Sequence, residues 1–390
     1  MQFLKNQKKK NLIQYFFKSL NTRNGIFRTI LLGKILLLPL LIITYGFIDN
    51  RPQNIFFHGD LGTYENYSEM SSQRNIGFII IANLFKIAFE NEILKLLIYG
   101  IISLLIMCYV QSEILHIVFE EKKEIDNRLK FASIFLSITN FYILIYSFKP
   151  GTDIYNCLGI AIFFCGLIKL KKFQLQGKSL IWLIKLLSIS LFRNTIFLPI
   201  SFLFLTDIKL VFFEEIKKFR ITKRIFFIAL ISFLLILNVS QIKNNMDLFF
   251  SLQEKIGLQF NLTNIDSFNK FSSTFLFLVT NIVKKLIFLI SARDAVSITT
   301  NWFVTEMGGE IIFSNPYLSN IIPSIFLFFT NSIGIYVIYT KFSKEFKKYF
   351  SYSLIALLPV ISYYAHHRYF LPYSIFTSAC LPFLFEKKFK

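Results

Sequence analysis

Charge is what this sequence has least of. Only 17% of its 390 residues are Asp, Glu, Lys or Arg, against about 25% in a soluble globular protein. Acids are the scarcer sign, 23 against 43 basic residues. Cysteine is sparse too: Cys108, Cys157, Cys165 and Cys380 all lie inside apolar runs. That leaves no disulfide framework and no thiolate spacing for a metal, and the four read as small buried hydrophobes. The Gly-rich loop ending in Lys-Ser/Thr, the dinucleotide Gly fingerprint, His-Glu-x-x-His and Gly-x-Ser-x-Gly are all missing, which excludes the chemistries those motifs carry, ATP-driven transport by a phosphate loop among them. No small-residue cleavage site follows the first apolar run, so that run reads as a retained anchor rather than a removable signal.

What the chain has instead is apolar length. It is 54% hydrophobic with a mean hydropathy of +0.54, and the apolar residues come in long runs rather than at amphipathic spacing. This predicts an all-α, polytopic integral membrane protein with about ten membrane segments, some re-entrant or broken. The net charge of +20 fits Lys and Arg retained in cytoplasmic loops. The basic residues are scattered between apolar runs rather than gathered on one element, so nucleic acid is not an expected partner. No internal repeat or separate soluble domain is visible.

The positive-inside rule orders the segments. Residues 1–25 form a basic cytoplasmic N-terminus, and 26–386 a membrane domain with outer loops at 49–75 and 241–320. Spans are expected over Ile26–Ile48, Ile93–Phe119, Phe131–Phe148, Ile154–Leu170, Ile321–Tyr339, Tyr349–Tyr364 and Tyr369–Phe385. Ile76–Phe89 is short and reads as interfacial or re-entrant. Basic inner loops fall at 120–130, 169–178 and 341–348. Ser179–Leu205 has basic residues on both flanks and Arg193-Asn194 at its centre, which predicts two half-helices meeting near Arg193. Ile225–Val239 reads as a span, and Phe271–Ile290 as re-entrant or crossing.

Polar groups at membrane depth are costly and usually have a role. Four places on the outer side qualify. Asp60 lies in the first outer loop between Gly59 and Gly62, with Tyr64, Glu65 and Tyr67 after it. A carboxylate there can accept a proton from a hydroxyl nucleophile or hold a divalent metal beside a phosphate, and tyrosines can stack on a sugar; an Asx-capped solvated turn is the plainer reading. Lys149 and Asp153 flank a Pro150-Gly151 turn that would face the same side. Arg193 needs a partner, either a phosphate that its fork matches or a buried acid. His366-His367-Arg368 suits a phosphate headgroup, or anchors an aromatic belt with Tyr363, Tyr364, Tyr369 and Tyr373.

Taken together, Gly59-Asp60 with Tyr64, the turn Phe148-Lys149-Pro150-Gly151-Thr152-Asp153, the stretch Leu191-Phe192-Arg193-Asn194-Thr195 before Pro199, and Arg368-Tyr369-Phe370-Leu371-Pro372 resemble the GT-C superfamily of integral membrane glycosyltransferases. The last matches that family's Arg-Tyr-x-x-Pro pattern. The resemblance implies transfer of a sugar from a polyprenyl-phosphate-linked donor to a glycan or lipid acceptor, at the outer face of a bacterial inner membrane. It gives Asp60 the role of base or metal-linked carboxylate, and substrate binding to Tyr64, Glu65, Lys149, Asp153, Arg193, His367 and Arg368. The paired acidic dipeptide of some relatives is absent at Asp60, so no cofactor is required by the pattern. Tyr64-Glu65-Asn66-Tyr67 before Gly77-Phe78 is also similar to the start of some O-antigen and exopolysaccharide polymerases. A lipid-linked sugar flippase is the reading from a different class.

Overall fold

A computed structural model of the chain describes residues 18–49, 76–89, 91–122, 125–149, 151–173, 178–206, 316–357 and 370–386. The described residues are helical throughout, with no strand among them. In chain order the helices are α1 (Arg23–Asp49), α2 (Ile76–Ala88), α3 (Glu92–Glu121), α4 (Asn127–Thr139), α5 (Phe141–Phe148), α6 (Thr152–Phe173), α7 (Lys178–Ser190), α8 (Phe197–Thr206), α9 (Pro316–Lys341), α10 (Lys344–Leu354) and α11 (Leu371–Cys380). Short 3-10 turns cover Asn194–Ile196, Ile355–Leu357 and Leu381–Phe385.

Among the described residues, three helices are long and apolar enough to cross a membrane: Arg23–Ile43, Ile93–Glu121 and Thr152–Lys171. α4 and α5 pass the same test only as a pair bent by 58° at their break, the form of a broken span or of a re-entrant loop, and make a fourth crossing if they count as one span. Exposure follows the pattern of a protein with lipid around it. On α1, Leu36 is 77% exposed while Lys34 is 0% exposed. On α3, Ile93, Leu97, Ile101 and Leu105 face outward, while Gln111, Ser112 and Glu113 are buried. A solvent of acyl chains tolerates exposed leucine and forces polar groups inward to find partners.

The core forms where α11 is enclosed by α3, α4, α6 and α9. Every residue of α11 is buried. It can be enclosed because its polar side chains are small and bonded. Thr377 Oγ1 donates to Asn331 Oδ1 at 2.8 Å, and Asn140 Nδ2 to Ser378 Oγ at 2.8 Å. Small residues at helix contacts let backbones approach and leave hydroxyls to bond across the interface. Phe164, Phe346, Phe350 and Phe376 fill the rest with edge-to-face ring contacts. The four cysteines are buried and unpaired, as hydrophobic packing requires.

The structure differs from the sequence reading in three places. The expected single span Phe131–Phe148 is broken at Asn140, whose side chain caps Tyr142 and Ile143 and so starts a new helix. The expected loop 341–348 is mostly helix: Ser343 Oγ caps Phe346 N and opens α10, which packs Phe346, Tyr349, Phe350 and Ser353 inward. The expected span Tyr349–Tyr364 therefore begins inside α10, and its residues past Leu357 lie outside the described residues. The segments 225–239 and 271–290 and the outer loop 241–320 up to residue 315 also lie outside them.

Candidate functional site

Polar contacts gather at the two ends of the bundle. At one end lie the segments assigned by charge to the cytoplasm. Glu113 of α3 is bonded by Arg23 at the start of α1 and, at 2.6 Å, by Lys169 near the end of α6. Lys171 pairs with Glu345, Lys122 with Glu386 at 2.7 Å, and Lys130 donates to Asn21 at 2.5 Å. Five chain segments that are distant in sequence thus meet at one basic end.

The opposite end is built where helices stop. Helix α6 opens at Thr152 with Asp153 in its first turn, where a carboxylate offsets the exposed N–H groups. From Thr152 to Lys169 the helix rises about 26 Å, close to the hydrocarbon thickness of a bilayer. The break predicted at Arg193 is present: α7 ends at Ser190 and α8 begins at Phe197. A broken helix leaves unbonded carbonyls and N–H groups. Leu191 offers one such carbonyl, and Gly77 N, in the first turn of α2, donates to it at 2.9 Å. The Phe192 ring stacks on Tyr155 at 4.6 Å and 17°. Thr195 Oγ1 donates to Asn156 Oδ1 at 3.2 Å.

Arg193 is the centre of this end. Its guanidinium donates to Thr152 Oγ1 at 2.7 Å and lies 3.7 Å from Asp153 Oδ1. Both side chains are nearly buried, 11% and 2% exposed. Arg193 therefore has an acid beside it, one of the two partners its position demands. The pair closes the α7–α8 break onto the start of α6. Close contact between Gly159 of α6 and Ile196 just past the break holds the same junction one to two turns deeper.

The structure thus brings together Asp153 and Arg193, with Lys149 four residues ahead of Asp153 as the C-cap of α5. Asp60, Tyr64, Glu65, His367 and Arg368 lie outside the described residues. The chain rejoins the described structure after Asp60 at Ile76-Gly77, beside Leu191. It leaves toward His367 at Leu357, in a turn that packs against Asn194–Ile196. The described residues that border these stretches, Gly77 and the turn ending at Leu357, thus both lie at this end. Among the described residues no three His, Cys, Asp or Glu side chains cluster as a metal site would need; the carboxylate proposed to hold one, Asp60, is outside them.

Lys34 was not anticipated. It is buried in α1, about 16 Å along the helix from Arg23, and donates to Ser147 Oγ at 2.6 Å. Ser147 passes the bond on to Ile143 O at 2.6 Å. The signal was a lone Lys inside an apolar run. The Glu113 cluster was equally visible as an acid inside Ile93–Phe119.

No protein-family model, no curated protein and no solved structure matches this chain.

Proposed function

We propose that the chain is an integral membrane glycosyltransferase. It moves a sugar from a polyprenyl-phosphate-linked donor to a glycan or lipid acceptor at the end of the bundle opposite its basic face, in the synthesis of cell-surface glycan. The observation that supports this reading is the meeting of Arg193 with Thr152-Asp153, at the end where the loop carrying Asp60 rejoins the bundle at Gly77. Glycosyl transfer from a phosphate needs a base for the acceptor hydroxyl and fixed cations for the charge that develops on the leaving phosphate. Asp60 supplies the first. Arg193 and Arg368, with Lys149 nearby, supply the second. Tyr64 and Glu65 contact the sugar, and His367 the phosphate. Burial of the Arg193–Asp153 pair holds one such cation in place before substrate arrives, the preorganisation that electrostatic catalysis depends on.

The test is turnover of a polyprenyl-phosphate-hexose donor by purified protein, wild type against Asp60→Asn. Loss of a general base lowers the rate by about 10²–10⁴-fold, at an unchanged melting temperature. Full turnover by Asp60→Asn would remove the base assignment. Absence of turnover with every donor, together with movement of lipid-linked sugar across reconstituted vesicles, would instead favour a flippase. The buried Lys34 is the observation on that side, because a cation deep in the bundle is what a polar path through a membrane requires.

A further inference from the structure

The basic end of the bundle contains a cleft of about 320 Å³ between α1, α3, α6 and α7. Arg23, Lys169 and Lys185 line it, with Glu113 the one acid. Three cations against one carboxylate leave the cleft with a surplus of two positive charges. Glu113 is used from both sides, by Arg23 on one oxygen and Lys169 on the other. It fixes the two cations in place and neutralises only part of their charge. Arg23 and Lys169 stay 44% and 34% exposed at the side chain. Lys185 is exposed and makes no hydrogen bond or ion pair with the described residues.

The walls of the cleft are aromatic. Tyr109 lies under the Arg23 guanidinium at 5.3 Å. Trp182 is 7% exposed and held by a 2.9 Å bond from its indole N–H to Ile162 O. Its ring lies directly on Gly166, where any side chain would collide with it. The ring thus has a fixed orientation at the cleft. The mouth is bordered by Ile181, 56% exposed, and the next turn of α7 shows Ile184, 53% exposed. The cleft thus carries an apolar lip on α7 beside its cations.

We propose that this cleft binds the phosphate of an anionic phospholipid in the leaflet at the basic end of the protein. Positive groups gathered between apolar helices, with an aromatic floor and an apolar lip, fit a phosphodiester whose chains lie along α7. A soluble phosphate would use the same cations but would gain nothing from Ile181 and Ile184. The site lies at the opposite end of the bundle from Arg193 and does not depend on the transfer reaction.

The chain has two tryptophans, so a Trp302→Phe background leaves Trp182 as the reporter. The full chain is placed in mixed micelles containing brominated-chain phosphatidylglycerol or brominated-chain phosphatidylcholine, and quenching of Trp182 is followed against lipid fraction. Phosphatidylglycerol is expected to reach half-quenching at a clearly lower fraction than phosphatidylcholine. Lys185→Gln should weaken that preference about fivefold with no change in melting temperature, and Lys185→Arg should retain it. Equal quenching by the two lipids overturns the proposal, as does a preference that survives Lys185→Gln. Inorganic phosphate that displaces phosphatidylglycerol at equal concentration overturns the lipid assignment in favour of a soluble anion.

Discussion

Adding one methyl group at Gly334 tests the packing of α11, because two effects of known size oppose each other there. A Cβ at Gly334 would lie 2.6 Å from Thr377 Cα and 2.7 Å from Thr377 O, both backbone atoms of α11. Ordinary contact is about 3.4–4.0 Å, so α9 and α11 must separate by roughly 1 Å. Overpacking of this kind costs about 1–3 kcal/mol. The separation also lengthens the Thr377–Asn331 bond of 2.8 Å, worth about 1 kcal/mol. Against this, Gly→Ala inside a helix returns up to about 1 kcal/mol. Gly334→Ala is therefore expected to destabilise by about 1–3 kcal/mol. Gly33 provides the control. The three atoms nearest to a Cβ there all belong to the Ile138 side chain, with Cδ1 at 2.8 Å and Cγ2 at 3.0 Å. A rotamer adjustment costs about 0.5–1.5 kcal/mol, which the helical gain offsets, so Gly33→Ala should be close to neutral. The assay uses the four buried thiols: a thiol-reactive fluorogenic dye reports unfolding as temperature rises in detergent. If Gly334→Ala melts at or above wild type, or Gly33→Ala falls further than Gly334→Ala, the close approach of α9 and α11 is wrong.

Two further outcomes follow from the buried polar groups, both read with the same thermal assay. Lys34→Met keeps the side-chain volume, removes a buried charge and leaves Ser147 bonded to Ile143 O, so it should be neutral or stabilising; Ser147→Ala instead strips the ammonium of that bond and should cost about 1–3 kcal/mol. Arg193→Met leaves Asp153 buried beside an apolar chain and should cost about 3 kcal/mol, while the double variant with Asp153→Leu should recover a good part of it. Additive losses in that cycle would mean that the 3.7 Å contact carries no coupling.

What could be read from the sequence was what repeats along the chain. Long apolar runs marked α1, α3, α6 and α9, and the positive-inside rule grouped the basic loops, which do meet through Glu113, Glu345 and Glu386. The break at Arg193 was legible because basic residues flank Ser179–Leu205 on both sides, which requires an even number of passes, and Arg193-Asn194 lies at its centre. The bend at Asn140 was not, because a single Asn barely lowers a hydropathy average; it acts through a cap on its own helix and a bond to Ser378, 238 residues away. The start of α10 was hidden by its lysines. Lys344, Lys347 and Lys348 read as loop charge, whereas Phe346, Tyr349 and Phe350 supply a buried helical face between and beyond them. Lys34 shows the general limit. Its bond to Ser147 spans 113 residues, so the sequence marks it as needing a partner without naming one. The same holds for Glu113 and Arg193, and it divides the bundle by role. At the basic end one acid is shared by two partly exposed cations, which leaves positive charge for an outside anion. At the opposite end one cation and one acid pair in near-complete burial. A free anion is drawn to the first arrangement by surplus charge, whereas at the second it must compete with Asp153 for Arg193. A phosphate that displaced Asp153 there would leave a buried carboxylate without its cation, a cost that an anion at the basic end does not meet.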